Sequence, residues 1–449
     1  MIRRFSLVLL TVIPLSIALD AAAQTLSRVD AVKAALDANP DVVRAREDLR
    51  ALEGRITEVK ADALPEVTFR ANTNRYRDPS LLNSSSFDAF PIELRDSLKP
   101  IPANLTDGNA EVKQTIYSFK LNRALKVAKL ARSLGQEDSR RVRQTIALDA
   151  VRAYDNLLLT LEYVRVNQRT LDQKEKHLES VRNRRTAGVA TELDVLRSEV
   201  DVENQRAQLT RAEGRVDFAR ATLNAVMLKP IDAPIQPTDV LARQPVESSL
   251  DQALAAAIAD RPEIKSAHLN ELTRDELIGV EQAERKPHFD FTGTYGYSVR
   301  EPSNFFQYNY SRWSVAFSAT MKIFDGGRAA GRIAQAQAER AKATQDRLAA
   351  ENQIRLQVKD AYDRLTVAER LLKAADLNIA QAQKAVDMTT ANYGLGAATQ
   401  LDVTDAQGAL TEAERIRLDA LHDHADARAT LRFAMGRDPL EGIEQVVQK

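Results

Sequence analysis

A turn motif that occurs twice constrains the fold of this chain most. Residues 396–407 read GAATQLDVTDAQ, and residues 188–196, which lie 208 positions earlier, read GVATELDVL. Both copies have the pattern G-x-x-T-x-x-D-V. Glycine permits the left-handed residue that ends a helix, threonine can cap the next helix, and an aspartate three residues later favours that helix's positive N-terminus. The sequence therefore predicts the same helix reversal at two places.

Other short segments recur in the same order, which indicates an internal duplication of the whole chain. The triplet Ala-Tyr-Asp at 153–155 returns at 361–363, again 208 residues later. Near the start of each half the two copies are 222 residues apart, because Leu64-Pro65 aligns in sequence with Lys286-Pro287. A single insertion of 15 residues, placed between Arg70 and Thr115 in a loop, accounts for the difference.

The duplication sets the predicted domain boundaries, with a proline-rich inter-repeat linker at 229–249. Helices are predicted from Leu26 to Ala63 and again from Leu250 to Arg285. Repeat 1 covers 24–236, with strands at about 66–117 and a long helical hairpin at about 118–228 whose tip is near 188. Repeat 2 covers 237–449, with strands at about 287–324 and a long helical hairpin at about 325–435 whose tip is near 396.

Residues 1–23 have the pattern of a signal peptide, with Arg3 and Arg4, an apolar stretch over 5–19 and the small residues at 21–23. Export is therefore expected. The apolar stretch is too short and too interrupted for a transmembrane helix, and no later stretch approaches the roughly 20 apolar residues that a span requires. The chain contains no cysteine, so neither disulfides nor a lipid-bearing first cysteine is expected.

Charge and motifs exclude several classes of function. The chain has 63 Lys and Arg against 63 Asp and Glu, whereas a nucleic-acid-binding protein would be basic. His422 and His424 are two residues apart on a predicted helix and point to different sides, and Gly326-Gly327 lacks the spacing of a phosphate loop. No Ser-His-Asp or paired-carboxylate constellation stands out. We therefore expect no enzyme, no cofactor, no metal site and no nucleic-acid partner.

The strand segments alternate with the period of two that a two-sided strand requires. Each strand runs for about ten residues, the length with which a tilted strand crosses a bilayer. Of the 24 aromatic residues, 16 fall in the two segments 66–117 and 287–324. One such hairpin alone would favour a soluble sheet with one buried face, but two hairpins flanked by very long helices favour a transmembrane barrel with aromatic girdles.

The helical segments are unusually long. Ser118–Ala187 and Arg328–Tyr393 each contain one glycine and no proline, so each can form a helix of roughly 100 Å. The second follows a 4-3 spacing of apolar positions that is typical of coiled coils: Ile354, Val358, Ala361, Leu365, Ala368, Leu372, Ala375, Ile379, Ala382, Val386, Thr389 and Tyr393.

Four membrane-length strands cannot close a barrel. An open edge in lipid leaves backbone groups unpaired at a cost of several kcal/mol each, so a monomer is excluded if the strands span. The smallest closed bacterial barrels have about eight strands, which leaves two, three or four copies arithmetically possible. The helices of several copies would then continue the barrel as a tube.

Together these features resemble the TolC family of outer-membrane efflux proteins over essentially the whole mature chain. The closest motifs are the strand exit IFDGGR at 323–328 and YGLG at 393–396 leading into LDVTDA. The resemblance implies a mixed α/β membrane protein: a homotrimer with four strands per chain in a twelve-stranded transmembrane β-barrel, continued by a periplasmic α-helical coiled-coil barrel. It also implies an exit duct for tripartite drug-efflux or type I secretion systems, which docks a periplasmic adaptor and an inner-membrane pump.

The resemblance places a gate at the second tip. Asp402 and Asp405 match the family's acidic residues at the periplasmic entrance, and three copies would bring six carboxylates to one axis. Such a ring would favour cations, and mutual repulsion would raise some of the carboxylate pKa values. Without the resemblance, both residues would more simply be placed in the first turn of a helix. Only the second tip has this pair of aspartates, because the counterpart of Asp405 in the first tip is Arg197. The two tips also differ at Gln400, whose counterpart is Glu192.

The family's closed state is also held by ties between neighbouring hairpins. Tyr393 and Asp194 match one such tie, although Tyr393 also continues the apolar 4-3 series. A second tie uses a basic residue where this chain has Ala398, so either the channel is held shut less firmly or another residue substitutes. The tip residues that match the adaptor-docking turns are Gly188, Thr191, Gly396 and Thr399.

Two alternatives are weighed against the export duct. A periplasmic adaptor-like protein with coiled-coil hairpins would have one hairpin flanked by small soluble β-domains, whereas this sequence has two hairpins and aromatic strands. A non-conducting structural protein of the envelope would share the architecture and lack conductance.

Overall fold

The elements of the chain follow the duplicated order helix, strand, strand, long helical hairpin. The structure is a computed structural model, and it describes residues 24–440 except 85, 86, 88, 96 and 245–248, so the predicted signal peptide lies outside the described residues. The elements are β1 (Gln24–Leu26), α1 (Arg28–Ala38), α2 (Pro40–Ala61), β2 (Glu66–Tyr76), α3 (Ile92–Arg95), β3 (Ala103–Ser118), α4 (Phe119–Thr186), α5 (Glu192–Val226), β4 (Ile235–Pro237), α6 (Leu250–Asp260), α7 (Pro262–Ala283), β5 (His288–Val299), β6 (Ser311–Thr320), α8 (Arg328–Gly394) and α9 (Gln400–Ala434).

Contacts between residues divide the chain into two units. Unit 1 comprises Met1–Val42, Arg143–Ala255 and Gln357–Lys449, and unit 2 comprises Val43–Val142 and Ala256–Leu356. None of the helices among the described residues combines the length and the hydropathy that a membrane span needs.

Unit 2 contains a four-stranded antiparallel sheet in the order β2-β3-β5-β6. The strands of the two repeats meet where β3 pairs with β5, and β2 and β6 form the two edges of the sheet. The insertion predicted from the change of offset falls in the connection between β2 and β3, where extra residues leave the ladder intact. Over the part of the chain that the structure describes, the sheet is therefore continuous across the repeats and open at both edges.

The two faces of this sheet differ in chemistry. Residues paired across an antiparallel ladder lie on the same face, and the register puts Phe69, Tyr295, Trp313, Val315 and Phe317 together on an apolar face. Trp313 is 73% exposed and Phe317 is 77% exposed. On the polar face, Arg70 with Glu111, Thr115 with Asp290, and Thr294 with Ser314 join neighbouring strands. The ion pair of Asp107 in β3 with Arg312 in β6 spans the intervening strand β5.

Gly296 of β5 lies directly against the backbone of β3. A Cβ atom there would come within 2.3 Å of the Gly108 carbonyl oxygen and 2.7 Å of the Asn109 Cα atom, and backbone atoms in a ladder cannot move aside cheaply. We expect Gly296→Ala to lower the free energy of unfolding by about 1–3 kcal/mol, as overpacking typically does. Thermal unfolding of the protein in detergent measures this effect.

Gly293, in the same strand, supplies the matched control for that substitution. A Cβ atom added at Gly293 would have Phe291 Cζ as its nearest neighbour at 3.5 Å, which is an ordinary van der Waals separation. Gly293→Ala should therefore leave the unfolding temperature nearly unchanged. Equal losses for the two variants would contradict the close approach at Gly296.

Unit 1 contains the greater part of two antiparallel helical hairpins, α4 with α5 and α8 with α9. The first seven residues of the predicted 4-3 series in α8, from Ile354 to Ala375, are all buried, which confirms that this spacing marks the packed face. In the first hairpin, Leu171, Leu178 and Val181 of α4 pack with residues of α5, including Val195. In the second hairpin, Leu372 and Ala375 of α8 pack with Ala420 and Leu421 of α9.

Two three-residue strands correct the sequence interpretation. β4 lies inside the predicted linker and pairs in parallel with β1, so the helix predicted from Leu26 begins only at Arg28. Strands this short have no measurable alternation, and their pairing joins residues more than 200 positions apart. The pairing is reinforced by Tyr154, whose hydroxyl donates to the Leu26 carbonyl oxygen and to Asp239 Oδ2, each at 2.8 Å.

Candidate functional site

The two hairpin tips are built from the same local structure. Gly188 and Gly396 have φ of +80° and +77°, which only glycine adopts without strain. Thr191 and Thr399 then cap α5 and α9, and each hydroxyl accepts a hydrogen bond from the backbone N–H of the aspartate three residues on. The repeated motif is therefore a helix stop followed at once by a capped helix start.

The aspartates of the caps are engaged by their own threonines. Asp402 Oδ2 accepts from the Thr399 backbone N–H and from its hydroxyl, each at 2.7 Å, and Asp194 Oδ2 accepts the equivalent bonds from Thr191 at 2.9 and 2.7 Å. These bonds to the ionised form lower the pKa of both carboxyl groups. The raised pKa values expected from a ring of carboxylates concern several copies, and that expectation stays a prediction.

Asp402 and Asp405 are both exposed near the start of α9, one turn apart. A single chain therefore offers two carboxylates at the second tip, where the first tip has Asp194 and Arg197. Their predicted role as a gate stays a prediction.

Tyr393 lies between the two hairpins and contacts α4. The guanidinium carbon of Arg184 is 4.4 Å from the centre of the Tyr393 ring, Arg184 Nη1 donates to the Tyr393 carbonyl oxygen at 3.3 Å, and the His177 ring is 5.9 Å away. Burial lowers the pKa of His177, which favours its neutral form. Among the described residues Tyr393 and Asp194 share no hydrogen bond, so the tie predicted between them stays a prediction.

Gln400 is the tip residue that sequence reasoning missed. Its side-chain amide donates to the Asp194 carbonyl oxygen at 3.1 Å and to the Ser198 hydroxyl, which joins the first turn of α9 to α5. The sequence shows Gln400 only as the counterpart of Glu192. The available signal was this replacement of an acid by an amide, because only the amide can donate a hydrogen bond. Gln400 therefore ties α9 to α5 within the chain, and whether another residue substitutes for a basic residue at Ala398 stays a prediction.

An open groove of about 500 Å³ lies between the first turns of α5 and α9. Its lining includes four large apolar side chains that are each more than half exposed: Leu193, Leu196, Val200 and Leu401. Asp194, Arg197, Asp201 and Gln400 supply polar groups to the same groove. An apolar groove with a polar rim is a surface suited to binding another protein.

The comparison with known proteins gives one consistent family. Residues 31–227 and 253–437 match the sequence profile of the family described as outer membrane efflux protein. The chain is similar to outer membrane protein OprJ of Pseudomonas aeruginosa, with 26% identity over 93% of this chain and 85% of the relative. It is also similar to outer membrane protein TolC of Escherichia coli, with 21% identity over 89% and 80%.

Solved structures agree in fold. The outer membrane protein VceC of Vibrio cholerae superposes with a TM-score of 0.77 at 17% identity, and the match covers 91% of this chain and 96% of that one. At this level of identity the likeness supports the fold alone.

Proposed function

The chain belongs to the outer membrane efflux protein family, and on this premise we propose that it is the outer-membrane export duct of a tripartite efflux pump or type I secretion system. In this role it passes substrates from a periplasmic adaptor and inner-membrane pump to the exterior. Its partners are two further copies of itself, these two proteins and outer-membrane lipid, and it has no enzymatic function.

The two-faced open sheet is the observation on which this proposal rests most. In a single chain the apolar face is exposed to solvent, and among the described residues β2 and β6 each pair with a strand on one side only. Three copies that pair β6 of one chain with β2 of the next would give twelve strands without an open edge. The apolar face would then meet lipid, and the ion-paired polar face would line a water-filled lumen.

The helical hairpins suit a periplasmic tube that continues this barrel. Coiled-coil hairpins with buried apolar seams and charged outer surfaces can pack side by side into a cylinder. The tip groove, together with the Gly188 and Gly396 turns, is the surface we assign to the adaptor. Two relatives bear names that fit this role, since OpmQ of Pseudomonas aeruginosa is described as a pyoverdine export outer membrane protein and BepC of Brucella suis as an outer membrane efflux protein.

The duct is tested by purification in detergent and reconstitution into a planar bilayer. We expect a trimer by mass and discrete single-channel currents. A soluble monomer without detergent would contradict the duct and favour an adaptor-like protein. A detergent-dependent trimer without conductance would instead favour a structural protein of the envelope.

The acidic gate is tested by neutralising its carboxylates in the same bilayer. We expect Asp402→Asn with Asp405→Asn to reduce the ratio of cation to anion permeability towards one, because a ring of carboxylates favours cations electrostatically. Asparagine retains an acceptor for the Thr399 cap. Asp194→Asn is the matched control, since it makes the same change in the first tip. Unchanged selectivity in the double variant would remove Asp402 and Asp405 from the gate.

A further inference from the structure

One copy of unit 2 already contains a contact between the two repeats, which we call the internal contact. In it β3 of repeat 1 pairs with β5 of repeat 2, and α4 of repeat 1 is joined to α7 of repeat 2 by ion pairs. Closing the proposed barrel would bring β6 and α8 of one copy against β2 and α2 of the next, which we call the closing contact. This inference rests on the proposed function, because the closing contact requires several copies.

The sequence offsets between the repeats convert the strand pairs of one repeat into those of the other. Phe69 of β2 lies opposite Ala110 of β3. The residues 222 and 207 positions later are Phe291 and Phe317, which lie opposite each other in β5 and β6. All paired residues of β5 and β6 follow from those of β2 and β3 in this way. Equivalent positions in the sequence are therefore equivalent positions in the sheet.

The helices follow the same correspondence. Arg132 of α4 forms an ion pair of 3.1 Å with Glu53 of α2. The residues 208 and 222 positions later are Arg340 of α8 and Asp275 of α7, which form an ion pair of 3.5 Å. A contact between repeat 1 and repeat 2 can therefore be transferred from the inside of one copy to the surface where two copies would meet.

In the strands this transfer gives the register of the closing contact. Ala110 of β3 lies opposite Tyr295 of β5 in the internal contact. Their counterparts are Phe317 of β6 and Thr73 of β2. Both counterparts lie on the apolar face of the sheet, and both are exposed in the single chain. The transfer therefore places Phe317 of one copy opposite Thr73 of the next.

In the helices, polar contacts join α4 and α7 at both ends of the internal contact. Lys120 Nζ lies 2.6 Å from Glu284 Oε1 at the end nearer the sheet. At the other end the Ser266 hydroxyl donates to Asp138 Oδ1 at 3.4 Å. The two contacts are 18 residues apart on each helix, which corresponds to about 27 Å.

The counterparts of these four residues form two pairs of opposite charge. Arg328 of α8 would meet Asp62, which directly follows α2, and Asp346 of α8 would meet Arg44 of α2. All four residues are exposed, and neither aspartate side chain has a hydrogen-bond or ion-pair partner among the described residues. On each helix the basic residue precedes the acidic one, so two antiparallel helices bring opposite charges together at both ends.

Two glycines occupy the middle of the same helix faces. Arg123 Nη1 donates to Glu276 Oε2 at 2.7 Å in the internal contact, and the counterparts of these residues are Gly331 and Gly54. A Cβ atom added at either glycine would meet nothing within 4 Å in the single chain. Glycine destabilises a helix interior relative to alanine, so contacts within one copy do not explain its presence. The approach of a helix from a second copy supplies a reason for both glycines.

We propose that neighbouring copies are held together in unit 2 by this closing contact, with Phe317 opposite Thr73 in the sheet. Along the helices, the ion pairs that hold it are Arg328 with Asp62 and Asp346 with Arg44. The contact is selective for a second copy of the same chain, because the strand register and both charge pairs must fit at once. Sliding α8 along α2 by one helical turn would weaken both charge pairs and break the strand register together.

Cross-linking measures the strand register, and the absence of cysteine from the chain removes any background. Thr73→Cys is combined in turn with Val315→Cys, Phe317→Cys and Ala319→Cys, which share one face of β6. Directly opposite residues can form a disulfide, whereas residues shifted by two positions lie about 7–8 Å apart, beyond its usual reach. We expect covalent dimers and trimers on denaturing gels after oxidation of the pair with Phe317→Cys, and a much lower yield from the other two pairs.

Charge exchange measures the helix contact. Asp62→Arg brings two cations together in each of the three closing contacts, so we expect the equilibrium constant for trimer dissociation in detergent to rise roughly tenfold. Asp62→Arg with Arg328→Asp restores the attraction and should return this constant to near its wild-type value. Asp62→Arg with Asp346→Arg is the matched control, because it also changes two charges but makes both ends repulsive. This control variant should dissociate more readily than Asp62→Arg alone.

Three outcomes would overturn this inference: a higher cross-linking yield from Val315→Cys or Ala319→Cys than from Phe317→Cys, no destabilisation of the trimer by Asp62→Arg, or a charge exchange that restores no stability. In each case the wild-type protein would still form trimers and channels, so the proposed function would stand. A wild-type protein that forms neither trimers nor channels would instead overturn the proposed function.

Discussion

Val315→Arg is expected to prevent assembly of the protein in the outer membrane. Val315 lies near the middle of β6, opposite Gly293 of β5, on the apolar face of the sheet, and it is 56% exposed in the single chain. If this face meets lipid, an arginine at mid-strand costs about 2–4 kcal/mol per copy. In a trimer this free-energy cost arises in each of the three copies. Fractionation of outer membranes and the yield of detergent-stable trimer measure the effect.

Ala316→Arg is the matched control for the membrane prediction. Ala316 is the next residue of β6 and pairs with Thr292 on the polar face. In the proposed barrel this side chain enters the lumen, where water solvates the charge. We expect normal assembly of Ala316→Arg and an altered conductance. Equal assembly of both variants would show that the apolar face does not contact lipid.

The architecture could be predicted from local patterns in the sequence. The alternation around Trp313 and Phe317 gives both the strands and their two faces, because side chains on a strand alternate with a period of two. The Gly-x-x-Thr-x-x-Asp motif gives the helix reversals, because each residue acts on its own turn of backbone. The strand alternation and the helix reversals are determined by residues close together in sequence, so they can be predicted from a single sequence.

Contacts between distant segments could not be predicted in this way. The pairing of β1 with β4 and the bond from Gln400 to Ser198 each join residues about 200 positions apart. Neither involves a periodic pattern. The roles proposed for Asp402 and Asp405 depend on contacts between three copies, which no local pattern within one chain describes. The differences between the two copies of the repeat are more informative about such contacts than the similarities. Glu192 and Gln400, for example, differ in whether the side chain can donate a hydrogen bond.

The repeated triplet Ala-Tyr-Asp shows how far two identical motifs can diverge in structure. Asp155 of the first copy accepts from Arg28 at 2.7 Å, and the two side chains are only 5% and 17% exposed. Asp363 of the second copy pairs with Lys359 on the surface of α8, and its side chain is 54% exposed. Sequence cannot separate these two environments, because the segment that covers Asp155 comes from the start of the chain.

Asp155→Ala is therefore expected to destabilise the protein by about 3–5 kcal/mol, the usual effect of leaving one charge of a buried pair uncompensated. The change would leave the Arg28 guanidinium largely buried over the Tyr154 ring, whose centre is 5.6 Å from it. Thermal unfolding in detergent measures the loss. Proteolysis should also release the segment before α1, because Arg28 is the first residue of that helix.

Asp363→Ala is the matched control in the second copy of the motif. An exposed pair between residues one helical turn apart contributes about 0.5 kcal/mol or less, so this variant should unfold near the wild-type temperature. Similar losses for Asp155→Ala and Asp363→Ala would contradict the difference in burial.

The double variant Arg28→Met with Asp155→Leu separates the cost of an unpaired charge from the value of the pair. Burial raises the pKa of Asp155 despite the opposing effect of Arg28, which means that desolvation of the carboxylate outweighs the attraction of its partner. Replacing both charges by apolar side chains of similar size should therefore cost less than Asp155→Ala alone. A double variant less stable than Asp155→Ala would show that the unpaired Arg28 charge does not cause the loss.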